Sequence, residues 1–162
     1  MNRWLLLVCV AFAGCDYTVP LVNTPSLDID NAVVGLWQQA KDGGQTENLL
    51  VLPLGKQEYL VSYPAGGKDA MFARGCLWRS ADRTFVQLNW FGTAQGKLPE
   101  DSRTFQFATY KLEGDTLRVR LLNAEVVDRD AKSADALLQA IAANQGKSGQ
   151  FRDEMVFKKV KD

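Results

Sequence analysis

Thr104–Asn123, TFQFATYKLEGDTLRVRLLN, reads as two alternating runs joined by Gly114-Asp115. A glycine-first, two-residue link between alternating runs is a strong hairpin signal. With those two residues as the loop, Glu113 faces Thr116, Leu112 faces Leu117, Tyr110 faces Val119 and Ala108 faces Leu121. Side chains alternate across a strand, so the last three pairs, six residues, share one face. The other face carries Lys111 with Arg118, Thr109 with Arg120, and Phe107 with Leu122. One apolar and one mostly wet face predict an antiparallel sheet covered on one side.

Working outward, the chain supplies more strands to close that sheet. Gly35–Lys41 comes first and ends at Asp42-Gly43-Gly44. Thr46–Leu54 and Gln57–Pro64 follow, and a Gly55-Lys56 loop would set Leu52 against Tyr59 and Leu50 against Val61. Ala70–Arg79 and Thr84–Phe91 form a hairpin around Ser80-Ala81-Asp82-Arg83, with Leu77 against Val86, Gly75 against Leu88 and Ala73 against Trp90. Small residues opposite large ones suit a curved interior. Gly92–Ser102 reads as a polar loop. Ser133 is the expected N-cap of a helix, with Asp135 in its first turn. Ala134, Leu137, Leu138, Ile141 and Gln145 keep helical spacing, and Gly146 ends the run. Asp153–Val160 is the last strand. The expected fold is therefore mainly β: an eight-stranded antiparallel up-and-down barrel with one helix before the last strand. Closure removes exposed edges. Phe107 and Leu122, on the outer face, are the expected seat of the helix stripe.

Composition narrows the chemistry. Lys plus Arg and Asp plus Glu each number 19, so no basic excess argues for nucleic acid. The chain has no histidine. That removes Ser-His-Asp and Cys-His catalysis, histidine zinc ligands and a histidine pH switch together. Roughly 130 residues in the barrel domain bury about two-thirds of their unfolded surface, enough without a disulfide.

The first residues read differently. Met1–Gly14 is MNRWLLLVCVAFAG, followed by Cys15. Arg3 gives a positive n-region, and Trp4–Ala13 is an apolar run too short to cross a bilayer as a helix. Phe12-Ala13-Gly14-Cys15 resembles the lipobox of bacterial lipoproteins, with Phe12 where leucine is usual. The resemblance implies cleavage before Cys15, a diacylglyceryl thioether on its sulfur and N-acylation. Asp16 then resembles an inner-membrane retention signal. The implied address is the bacterial cell envelope, with the chain facing the periplasm on a lipid anchor.

The expected organisation is a signal peptide at 1–14, a lipidated flexible tether at 15–31 and a barrel domain at 32–162. The tether reading rests on Pro20, Pro25, Asn23, Thr24 and Ser26, which break any period. Asp28, Asp30 and Asn31 look faintly like a calcium loop, but Val33 stands where the loop glycine belongs.

Gly35-x-Trp37 at the first strand, the strand count and the late helix together resemble the lipocalins, or the broader calycin superfamily. That resemblance implies that Trp37 closes one barrel end beneath a basic side chain, which Arg152 or Lys159 would supply. Two features depart from it: no Thr-Asp-Tyr motif occurs, and the helix precedes the last strand.

Few residues carry recognisable chemistry. Cys76 has no mature partner and reads as a packed small hydrophobe. Gly146-Lys147-Ser148 has the tail of a P-loop without its first glycine or its strand. Asp128-Arg129-Asp130 reads as a solvated loop. No catalytic set, metal site or cofactor is expected. Trp37, Tyr59, Tyr63, Trp90 and Tyr110 are expected to face inward, either as core or as the lining of a ligand cavity. Two functions follow from those alternatives. In one, a membrane-tethered barrel holds a small, largely apolar ligand. In the other, the barrel is filled and its surface binds another envelope protein.

Overall fold

The computed structural model describes residues 16–96 and 103–161. The signal segment, Cys15 and the tip of the Gly92–Ser102 loop lie outside the described residues. Eight strands close into one antiparallel barrel in sequence order. They are β1 Gly35–Ala40, β2 Thr46–Pro53, β3 Tyr59–Ser62, β4 Met71–Ser80, β5 Arg83–Thr93, β6 Phe105–Glu113, β7 Thr116–Leu121 and β8 Met155–Lys159. Trp37 opposite Lys159 closes β1 onto β8. A single helix, α1 Ala134–Ala143, precedes β8. The Ser133 side chain caps it by accepting from the Ala136 N–H at 3.1 Å. Among the described residues no helix is long and apolar enough to cross a membrane.

Two hairpins have the register that their sequences predict. In β6–β7, Tyr110 lies opposite Val119 and Glu113 opposite Thr116. Gly114 turns that corner at φ 59°, a left-handed value that its missing Cβ permits. In β4–β5, Leu77 faces Val86, Gly75 faces Leu88 and Ala73 faces Trp90. The β2–β3 hairpin differs by one residue. Pro53 faces Tyr59, Leu52 faces Leu60 and Val51 faces Val61. The turn is longer than Gly55-Lys56, closing with Leu54 N–H to Glu58 O at 2.8 Å. A slip of one exchanges a strand's faces. Leu49 and Val51 therefore join Tyr59 and Val61 in the core, while Leu52 is turned outward and exposed.

The buried residues form two layers. Inside the barrel are Trp37, Leu49, Val51, Tyr59, Leu77, Leu88, Trp90, Leu117 and Phe157. Outside it, Trp78, Phe85, Phe107 and Leu122 meet Leu137, Ile141, Val127 and Phe151. The first half of β6 consequently buries both faces, Gln106 and Ala108 on one and Phe107 on the other. Phe107 and Leu122 do receive the helix. The stripe itself is narrower than expected: Leu137 is fully buried, but Leu138 is 38% exposed and Gln145 lies beyond the helix. Adjacent helical residues sit 100° apart, so a helix lying on a curved sheet buries only one of the pair.

The larger correction concerns the expected tether. Residues 16–31 are packed as a strap along the barrel. Tyr17 exchanges both backbone bonds with Phe105 at 3.0 Å, beside the start of β6 where β7 has already ended. Tyr17 is fully buried against Phe107, with ring centroids 5.3 Å apart, and its hydroxyl donates to Val127 O at 3.1 Å. Further along, Gln87 Oε1 accepts from the Leu21 and Val22 N–H groups, and Gln87 Nε2 donates back to Val22 O. The strap ends in a single 3-10 turn, Asn31–Val33, capped by Asp30. Prolines and loop-forming residues removed the period, but burial of side chains and pairing of backbone groups order the segment instead.

Candidate functional site

The strap touches both ends of the barrel, and the inward aromatics meet it there. At the hairpin end, where the turns after β2, β4 and β6 lie, Asp30 gathers two tyrosines. Its N–H donates to Tyr59 Oη at 2.6 Å, and its backbone oxygen accepts from that hydroxyl at 3.2 Å. Tyr110 donates to Asp30 Oδ2 at 3.1 Å. Val33 O accepts from Trp37 Nε1 at 2.9 Å, and Lys159 Nζ lies 5.1 Å from the Trp37 ring centroid. Of the two cations proposed to cover that ring, Lys159 does so.

At the opposite, loop end, Trp90 Nε1 donates to Gln106 Oε1 at 3.2 Å, and Gln106 Nε2 donates to Asp16 Oδ2 at 3.3 Å. Arg152 completes the chain with a 2.8 Å bond to Asp16 Oδ1. Tyr63 donates to Glu47 Oε2 at 2.6 Å, and Glu47 pairs with Lys41 at 3.0 Å. Its ring stands edge-on to Phe157, centroids 5.8 Å apart.

All five aromatics singled out from the sequence thus belong to one interior cluster. Trp37, Tyr59 and Trp90 are buried, and Tyr63 and Tyr110 are packed against them while half-exposed. Burial pushes the Tyr59 phenol up to about 12 against an opposing backbone bond from Asp30. Burial likewise raises Tyr63, reinforced by its bond to Glu47, and Tyr110, reinforced by the Asp30 charge. Glu47 is itself held below the ordinary carboxylate range: burial opposes this, but its bonds from Tyr63 and Lys41 outweigh burial. These phenols stay protonated at neutral pH and donate to fixed acceptors. Tyr59 and Tyr110 lock the strap to the barrel, and Tyr63 locks the end of β3 to β2.

A cavity of about 480 Å³ opens at the hairpin end, between Leu27, Ile29 and Asp30 of the strap and Leu77, Arg79 and Tyr110 of the barrel. Cys76 lies on the outer face, buried, with Gln87 Nε2 3.9 Å from its sulfur. Burial pushes its thiol up to about 11, which keeps it from being a thiolate at neutral pH. Asp30 spends its atoms on the two tyrosines and on capping Ala32, so the Asp28–Asn31 stretch is a cap and not a calcium loop.

Sequence reasoning missed Gln87 and Gln106, and the contacts that Asp16 and Asp30 make with the barrel. Each of these residues is polar, and each is a strap residue or the barrel residue that holds it. No spacing announced them, because the contacts they make between strap and the rest of the fold span 29 to 136 residues. No protein-family model matches the chain, and no curated protein matches it either.

Proposed function

We propose that this chain is a lipid-anchored, periplasm-facing protein of the bacterial envelope, non-catalytic, whose filled barrel is a rigid body that binds another envelope component through its surface. One observation carries this reading. The strap bonds directly to Tyr59 and Tyr110 at the hairpin end and reaches Trp90 through Gln106 at the loop end, so side chains that would line a ligand cavity are engaged with the chain itself.

Position supports the anchor. Asp16, the residue after Cys15, is 4% exposed and bonded to Gln106 of the barrel wall. An acylated Cys15 therefore holds the loop end of the barrel against the bilayer, without a long tether between them. Each buried methylene contributes about 0.8 kcal/mol, so several acyl chains hold firmly where one is marginal. Asp16 in second position favours the inner membrane, and the outer membrane is the alternative address.

A second reading has its own observation. The cavity of about 480 Å³ at the hairpin end is lined by Leu27, Ile29, Leu77 and Tyr110 with Asp28, Asp30, Arg79 and Thr84, and has room for a small ligand with an apolar body and a polar end. Native mass spectrometry of the chain extracted from its host separates the two. The expected species is the acylated chain with no small molecule retained. A retained apolar ligand would move the function to the cavity. Labelled palmitate should enter the wild type and not Cys15→Ala, and equal labelling of both would remove the anchor.

A further inference from the structure

A groove of about 820 Å³ crosses the outer face of β5, β6 and β7 and is walled by the segment Gly146–Phe151. Its charge is lopsided. Arg83, Lys111, Arg118, Arg120 and Lys147 line it, against Asp82 and Glu154. The whole chain balances 19 cations with 19 acids, so this excess is local. Two of the five cations are neutralised. Arg118 pairs with Glu154 at 2.7 Å and Glu113 at 3.1 Å, and Lys111 pairs with Glu113 at 2.6 Å. Arg83, Arg120 and Lys147 form no ion pair among the described residues.

Two of those three cations lie against the same ring. The guanidinium carbons of Arg83 and Arg120 lie 5.3 Å and 5.6 Å from the centroid of one ring, Phe151. Phe151 is buried and fixed by its bridge to Leu122 and its tilted contact with Phe85. Arg120 Nε also donates to Arg152 O at 3.4 Å. One buried ring thus keeps two like charges on the wall of the groove, and an anion bound there would offset both. Guanidinium groups bind phosphate through paired N–H bonds, and lysine adds a point charge. Gly146-Lys147-Ser148, which fails as a P-loop, brings that lysine to the wall of the groove.

We infer that this groove is a binding site for a phosphate-bearing anion, held chiefly by Arg83 and Arg120 with Lys147 at its wall. The site rests on the surface being the binding element, and only the source of its phosphate is drawn from the lipid anchor. Arg120 stands opposite Thr109, and Tyr17 opposite Phe105. Four residues of strand separate the two levels by about 13 Å. With Cys15 anchored beyond Tyr17, the site stands that much farther from the anchoring leaflet, beyond a Debye length of about 8 Å. A phosphate carried by a soluble envelope component fits that placement better than a headgroup of the same leaflet.

Calorimetry of the full acylated chain in neutral detergent tests the site, with inorganic tripolyphosphate as the probe. Saturable one-to-one binding that weakens with added salt is expected. Arg83→Gln and Arg120→Gln should each weaken it about tenfold, about 1.4 kcal/mol, with Lys68→Gln on a distant loop unchanged. Thermal melts of each variant check that the fold is intact. Vesicles of phosphatidylcholine with phosphatidylglycerol form the second arm. Capture of vesicles through the same two arginines would assign the phosphate to a lipid and keep the site. No saturable binding to either probe, or binding that both arginine variants leave unchanged, overturns it. Failure of palmitate labelling, or a ligand retained in the cavity, would instead remove the anchor or the filled-barrel reading and leave this result standing.

Discussion

Asp16 and Arg152 are 136 residues apart in sequence and meet at the loop end of the barrel, with Arg152 donating to Asp16 Oδ1 at 2.8 Å. Arg152 follows Phe151, which bridges to Leu122 in the outer layer, and Asp16 precedes Tyr17, which bridges to Phe105. The pair therefore ties the first described residues of the chain to the segment leading into the last strand. It also joins the strap to the interior, because Gln106 links Asp16 to Trp90.

Removing one partner of that pair should cost more than removing both. Asp16→Asn leaves Arg152 facing a neutral amide beside a buried wall, and we expect a loss of about 1–2 kcal/mol, tempered by the partial exposure of Arg152. Arg152→Gln should cost a similar amount. The double variant should fall well short of the sum of the two. Urea melts of the four species give the coupling, and strict additivity would show that the ion pair contributes nothing.

The helix offers a sharper contrast. Leu137 is completely buried against the outer layer, and its neighbour Leu138 is 38% exposed. Leu137→Ala should cost about 2–5 kcal/mol, the range for a buried leucine whose site collapses only in part. Leu138→Ala should cost under about 1 kcal/mol. Thermal melts of the two variants settle the orientation of the helix, and equal losses would mean that it is not docked through Leu137.

These contrasts show what the sequence could and could not supply. The β6–β7 and β4–β5 registers were legible because alternation and turn residues are local signals. The β2–β3 register was not, because Gly55 invited a two-residue loop and the real turn spans Leu54 to Glu58. The stripe on the helix gave two leucines, and only the curvature of the sheet chose between them. The strap was least legible. Its order comes from single contacts such as Tyr17 with Val127 and Val22 with Gln87, which carry no period. The five inward aromatics were readable from alternation, yet Asp30, the partner of Tyr59 and Tyr110, was not. Arg83, Arg120 and Phe151 come together only through the closure of the barrel and the loop after the helix.

Alkaline pH should unfold the protein in a way that reports on the strap. The chain's four tyrosines are Tyr17, Tyr59, Tyr63 and Tyr110, and burial raises all four. Tyr59 is pushed up to about 12, and the others move in the same direction. An unfolded tyrosine loses its proton near 10, whereas the folded one keeps it. Above pH ~10 the unfolded state thus binds fewer protons, and stability falls as pH rises. Cys76, pushed up to about 11, starts the same fall slightly earlier. With no histidine to titrate, little should change between about pH 6 and 8. Tyrosinate absorbance should therefore appear only together with loss of the β-sheet circular dichroism signal. A tyrosine that titrates reversibly near 10 in the folded protein would show that its contact with barrel or strap is absent.

The start of β1 supplies the last test. Gly35 has φ 140°, a conformation that side chains with a Cβ rarely adopt. A Cβ placed there would also stand 3.1 Å from Lys159 Cε. Lys159 is the side chain that lies over Trp37, and Trp37 Nε1 is bonded to Val33 O just before the strand. The two ends of Gly35-x-Trp37 thus serve one arrangement: the glycine lets the chain turn into β1 and leaves room for the lysine that covers the tryptophan. Gly35→Ala should cost about 1–3 kcal/mol, from backbone strain and displacement of Lys159. Lys159→Met keeps most of the aliphatic stem and loses the charge over the ring, about 0.5–1 kcal/mol at a partly exposed site. Combining the two separates the causes. If crowding of Lys159 dominates, Lys159→Ala should relieve much of the Gly35→Ala penalty. If strain dominates, the penalty should persist in full, and tryptophan fluorescence should report the same shift in both backgrounds. A Gly35→Ala protein that melts like the wild type would mean that the strand begins without the turn seen here.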